Sequence, residues 1–118
     1  MDSRQLDEIE SRLGTPAHRG EGFLIYHGDC LNYLSKLERQ SVGLTVTSPP
    51  YNIGKEYEAV SEISDYLDWC VKWIDEVHRA TAQHGSFWLN LGYVALEGRA
   101  KAIPIPYLLW DRIPFYLV

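Results

Sequence analysis

Between Glu62 and Ala82 the apolar residues Ile63, Tyr66, Leu67, Cys70, Val71, Ile74 and Val77 recur at the i, i+3, i+4, i+7 spacing of one helix face. Asp65, Asp68, Lys72, Asp75, Glu76 and Arg79 fill the opposite face, so this segment reads as a surface helix lying on a core. Ser61 or Ser64 is suited to cap its start and Gly85 its end. The run Val42 to Thr47 before it is β-branched and mostly apolar, as expected of a strand buried on both faces of a parallel sheet, and Ser86 to Leu91 after it reads as another strand. Strand, helix, strand in that order implies an α/β fold with a mainly parallel sheet and flanking helices.

The flanks fit the same architecture. Leu6, Ile9 and Leu13 mark a short helix with Asp2 or Ser3 as N-cap and Gly14 as C-cap, and Thr15 to Gly22 has the Pro and Gly content of a loop. Residues 1–22 are thus expected to be an accessory helix and loop, and residues 23–118 the main unit. Phe23 to His27 reads as a strand, and Leu31, Leu34 and Leu37 as a short helix capped by Asp29 and ending near Gln40. Pro104 and Pro106 suit the first turn of a last helix, Tyr107 to Asp111, and Phe115 to Val118 opens a further strand. That strand would leave an exposed sheet edge, which favours a homodimer or a complementing chain.

Composition bounds the function. With 46% hydrophobic and 23% charged residues, the 118 residues suit one globular domain. The apolar runs are strand-length and Met1 to Arg4 lacks a signal-peptide profile, so the expectation is a cytoplasmic protein with no membrane span. Cys30 and Cys70 suggest neither a disulfide framework nor a CxxC site, and the four histidines have no ligand-like spacing, so no metal is expected. The net charge of −5, from 11 basic and 16 acidic residues, argues by itself against a nucleic-acid partner.

One peptide reverses that inference. In such sheets ligands sit at the carboxyl ends of the strands, which selects the loops Gly28-Asp29-Cys30, Ser48 to Glu58 and Asn90-Leu91-Gly92. Thr47-Ser48-Pro49-Pro50-Tyr51-Asn52 lies just past the buried-type strand. Two prolines donate no hydrogen bond and hold the chain extended, making a platform of fixed acceptors. An exocyclic amine is a poor nucleophile because its lone pair is delocalised. Acceptors such as Ser48 Oγ and the Pro49 carbonyl, aimed at its two hydrogens, favour its attacking geometry, and Tyr51 offers a flat face for a planar ring. Read blandly, the peptide is only a polyproline turn, Asp29 only an N-cap, Asn90 only a polar strand end, and Trp69 and Trp73 only packing.

Ser48 to Tyr51 resembles the Ser/Asp/Asn-Pro-Pro-Tyr motif of S-adenosylmethionine-dependent amino-methyltransferases, and Thr47 to Lys55 resembles the DNA-modifying members in particular. Tyr26 to Cys30 and Ser86 to Gly92 are similar to the family's segments on either side, so the likeness runs from Phe23 to Val118. It implies a partial Rossmann-like methyltransferase sandwich using S-adenosyl-L-methionine. Ser48, Pro49, Pro50 and Tyr51 would be catalytic. Asp29, Cys30, Thr47 and Ser48 would meet the cofactor, and Tyr51, Asn52 and Lys55 a base flipped from double-stranded DNA. Only 47 residues precede Ser48, and the sole G-x-G, Gly20-Glu21-Gly22, follows no strand, so the order resembles the permuted class in which the catalytic half comes first. Target recognition and the glycine-rich cofactor loop then lie outside this chain. A serine in first position favours cytosine N4 over adenine N6. RNA- or glutamine-modifying relatives usually carry asparagine there, and a non-catalytic split fragment is the third reading.

Overall fold

The structure is a computed structural model that describes residues 1–52, 62–95 and 102–116. Helix α1 (Ser3–Leu13) starts at Asp2, whose carboxylate accepts the Gln5 backbone N–H while the Gln5 side chain accepts the Asp2 N–H. This reciprocal capping box satisfies two donors that a helix start otherwise leaves open. α1 buries Leu6 and Leu13. Strands β1 (His18–Gly20) and β2 (Phe23–Ile25) then form an antiparallel hairpin.

The loop expected over Thr15 to Gly22 is corrected by this hairpin: Gly20 ends β1 and pairs with Phe23, Glu21 and Gly22 form the turn, and the G-x-G expected to follow no strand thus closes one. Gly22 takes a φ of 82°, open to glycine at no steric cost. Arg19 adds support that composition conceals, bonding Asp7 at 2.7 Å and Glu10 at 2.8 Å on α1. The strand expected over Phe23 to His27 is shorter and pairs only with β1. α2 (Cys30–Leu34) begins at Asp29 as expected, but the helix stops at Leu34 instead of near Gln40, with Ser35 to Leu37 in turns.

β3 (Val42–Thr47), α3 (Ile63–Ala80) and β4 (Thr81–Leu89) form the expected strand–helix–strand unit, with β3 and β4 parallel. Leu44 pairs with Ser86, Val46 with Trp88 and Thr47 with Leu89. The chain passes from α3 into β4 with no loop between Ala80 and Thr81, so Gly85 is inside a strand and not a helix cap. A Cβ on Gly85 would lie 2.9 Å from the Val42 carbonyl oxygen and 3.0 Å from that of Gly43, beside the register shift between Val42 and Leu44. Glycine is there for close strand approach. Glu62, not a serine, precedes α3; Ser64 is within the helix, and Ser61 lies outside the described residues.

The core is the apolar face of α3 (Tyr66, Leu67, Cys70, Trp73, Ile74 and Val77) joined by Ile105 and Leu109 of α4 (Ile105–Leu109). Phe87 and Leu89 of β4 and Leu31 and Leu34 of α2 pack around it. Arg79 fastens α2 to α3, donating to the carbonyls of Leu34 at 2.8 Å and Leu37 at 3.0 Å, where a helix end lacks internal donors. α4 starts at Ile105 rather than Tyr107, after the antiparallel pair β5 (Tyr93–Ala95) and β6 (Ala102–Pro104). Phe115 and Tyr116 do not form the expected strand, and Leu117 and Val118 lie outside the described residues.

One expectation fails instructively. β3 is not buried on both faces: Leu44 is 57% exposed and Val46 71%, with Trp88 beside them at 68%. α3 covers only the face that carries Phe87 and Leu89, and among the described residues no element covers the other. No helix there is long and apolar enough to cross a membrane.

The two cysteines are free and differ in setting. Cys70 is wholly buried, and burial pushes its thiol up to about 11; Cys30 is exposed, with partial burial and the Asp29 charge raising its thiol. Since the thiolate is the reactive form, Ellman's reagent at pH 8 is expected to label one sulfur slowly and the second only in denaturant. Rapid labelling of both in the native protein would contradict this packing.

Candidate active site

The site grows out of the β3–β4 pair. The Asn90 N–H donates to the Thr47 carbonyl at 3.0 Å, so strand pairing persists up to the residue before Ser48. The chain then passes through Pro49 and Pro50, which have no N–H to anchor the loop from within. The anchors come from outside. The Tyr66 hydroxyl, on the buried face of α3, donates to the Pro50 carbonyl at 2.6 Å, and the Asn90 side-chain amide donates to the Tyr51 phenol oxygen at 2.7 Å.

Gly92 seats Tyr51. A Cβ at position 92 would lie 3.0 Å from Tyr51 Cβ and 3.1 Å from Cγ, closer than ordinary contact, so a larger residue would push the tyrosine away. Asn52 takes a φ of 60°, a left-handed conformation that asparagine tolerates better than most residues. Ser48 is exposed at the strand end and Pro49 and Tyr51 are half-buried. The result is a loop stiffened by two prolines, with Ser48 exposed at its start and Tyr51 held at its phenol by Asn90.

Of the sequence-identified residues, the structure brings Pro50, Tyr51 and the Asn90–Gly92 loop into contact. Asp29 and Cys30 are at the start of α2: Asp29 Oδ1 accepts the Leu31 N–H at 2.9 Å, and Oδ2 makes no hydrogen bond among the described residues. Lys55 lies outside the described residues. Trp73 is buried and meets Trp69 edge-on at 6.0 Å, which is packing. Sequence reasoning missed Tyr66 by counting it only as a core residue. The available signal was a hydroxyl in an otherwise apolar stripe, because a buried tyrosine O–H needs an acceptor.

A parallel β–α–β unit with a proline-stiffened loop at its carboxyl end places the candidate site where α/β domains bind their ligands. The chain belongs to the DNA methylase family of N6/N4 methyltransferases, which it matches over residues 42–115. It is 52% identical to the type II methyltransferase M.ScaI of Streptomyces caespitosus over 118 residues, covering 100% of this chain and 38% of that protein. It is 34% identical to the DNA adenine methyltransferase YhdJ of Escherichia coli K12 over 87 residues, 67% of this chain and 30% of that protein. The PvuII DNA methyltransferase, cytosine-N4-specific, superposes with a TM-score of 0.69 at 25% identity over 86% of this chain and 38% of its own. This supports the Rossmann-like methyltransferase fold. The chain thus spans under two fifths of the length of these relatives.

Proposed function

We propose that residues 23–118 carry the transfer site of a site-specific, cytoplasmic DNA methyltransferase that methylates the exocyclic amine of a flipped base, cytosine N4 in preference to adenine N6. The observation that supports this reading is the clamping of the motif loop from outside, at the Pro50 carbonyl by Tyr66 and at the Tyr51 phenol by Asn90. Ser48 Oγ and the Pro49 carbonyl accept the two amine hydrogens and turn the nitrogen lone pair outward, while Tyr51 stacks on the base. Asn52 and Lys55 are assigned to base contact by the motif resemblance alone. Serine in first position supports cytosine, as does the likeness to the PvuII enzyme.

The donor would be S-adenosyl-L-methionine, which would supply an electrophilic methyl group to the amine nitrogen, with one amine proton released to solvent. The residues present fit such a group: Asp29 has an unengaged carboxylate oxygen at an exposed helix start, able to accept hydroxyl hydrogens, with Cys30 beside it. Thr47 and Ser48, at the end of β3, would complete its contacts.

A second reading rests on the open sheet face of Leu44, Val46 and Trp88. Exposed apolar surface of this kind marks an association site. It packs against the remaining methyltransferase structure in a complementing chain, and that structure also supplies the basic surface that a net charge of −5 does not.

The test is to incubate the chain with labelled S-adenosylmethionine and mixed-sequence DNA, alone and with the part of M.ScaI it does not cover, and to identify methylated nucleosides by mass. Label in N4-methylcytosine is expected. Tyr51→Ala is expected to lower incorporation about 10- to 100-fold, the loss of one stacked base. N6-methyladenine would reassign the base, and full incorporation by Tyr51→Ala would remove the site.

A further inference from the structure

We infer that Tyr66 is a positioning residue for amine transfer, its hydroxyl locking the Pro50 carbonyl so that Ser48 Oγ and the Pro49 carbonyl remain the acceptors turned to the substrate. The inference rests on the transfer reading above and adds a residue from the core of α3, far from the motif in sequence. A backbone residue has two soft dihedrals, and proline's ring removes one. In Pro50 the remaining freedom is ψ, which sets at once where its carbonyl points and where Tyr51 begins. The 2.6 Å bond from Tyr66 holds that angle. A residue before proline is itself confined to extended conformations, so Pro49 is steered by its neighbour.

The far end of Tyr51 is held separately by Asn90, and its near side rests on Gly92. The tyrosine is therefore fixed at its backbone by α3 and at its phenol by the end of β4. Tyr66 can serve as a fixed post because it is only 4% exposed and sits in the same core cluster as Leu67, Cys70 and Ile74. The geometry assigns it to aiming the loop, with no contact to the base required.

Tyr66→Phe removes the hydroxyl and keeps the ring that fills the core, and Tyr107→Phe, at an exposed position on α4, is the control. In the labelled full chain, Tyr66→Phe is expected to move the Pro50 carbonyl-carbon and Asn90 side-chain amide resonances, and the control to move neither. In the methylation assay above, kcat is expected to fall about tenfold with KM for DNA unchanged, at a temperature where circular dichroism shows both variants folded. A core role alone would change the unfolding temperature without splitting kcat from KM.

Unmoved resonances, or an unchanged kcat in an active protein, overturn the role of Tyr66. Moved resonances in a protein that transfers no methyl group, alone or complemented, overturn the functional reading and retain Tyr66 as the clamp of this loop.

Discussion

Ser48→Ala is expected to lower the methyl-transfer rate by about 10²- to 10³-fold, with DNA affinity unchanged. Removing one pre-aimed hydrogen-bonding group from a charge-developing site carries a loss of that order, because water cannot reproduce its orientation. Ser48 is the exposed first residue beyond β3, placed by strand pairing that persists through Thr47 and Asn90, so alanine deletes the hydroxyl and leaves the backbone in place. The proline carbonyls and the Tyr51 face persist, which is why the loss should appear in kcat and not in binding. Single-turnover rates at saturating DNA check this, and a rate within a factor of about two of wild type would exclude Ser48 from the reaction.

Ile74→Ala should cost about 2–5 kcal/mol of unfolding free energy, the range for large-to-small changes in a packed core. Ile74 is 1% exposed at the centre of the α3 face, within the cluster that also holds Ile105 and Leu109. Domains have only about 5–15 kcal/mol in total, so one truncation consumes a large part of it. Urea unfolding followed by circular dichroism should show a lower midpoint with the same slope. An unshifted midpoint would mean that the α3–α4 contact is not the centre of the fold.

The strand–helix–strand unit was legible because its period is long and regular: seven apolar positions on one helix face leave little choice, and β3 was bounded correctly at Val42 and Thr47. The motif loop was legible because proline pairs limit the backbone so severely. What the sequence concealed depends on contacts between distant residues. Arg19 joins two acids on α1 and so makes a hairpin from a segment with loop composition. Gly85 resembled a helix terminator because glycine serves both there and where strands crowd. β3 reads as doubly buried from its residue types, yet Leu44 and Val46 face open space, since alternation along one strand says nothing about whether a second layer is present.

The direct passage from α3 to β4 at Ala80 and Thr81 has a mechanical consequence. A helix turns its side chains by about 100° per residue and a strand by about 180°, and a loop ordinarily absorbs any mismatch between the two. Here the strand itself absorbs it: the Thr81 N–H still bonds back to His78 and Val77, and while β3 advances from Val42 to Leu44 its partner advances from Thr81 to Ser86. The irregular stretch between Thr81 and Ser86 is the slack of the joint. A residue inserted or deleted there is expected to alter that bulge and leave the Ile74 stripe on the core, whereas the same change beyond Ser86 would exchange Phe87 with Trp88 across the sheet. Tolerance to a change in length should therefore end where regular pairing begins, at Ser86.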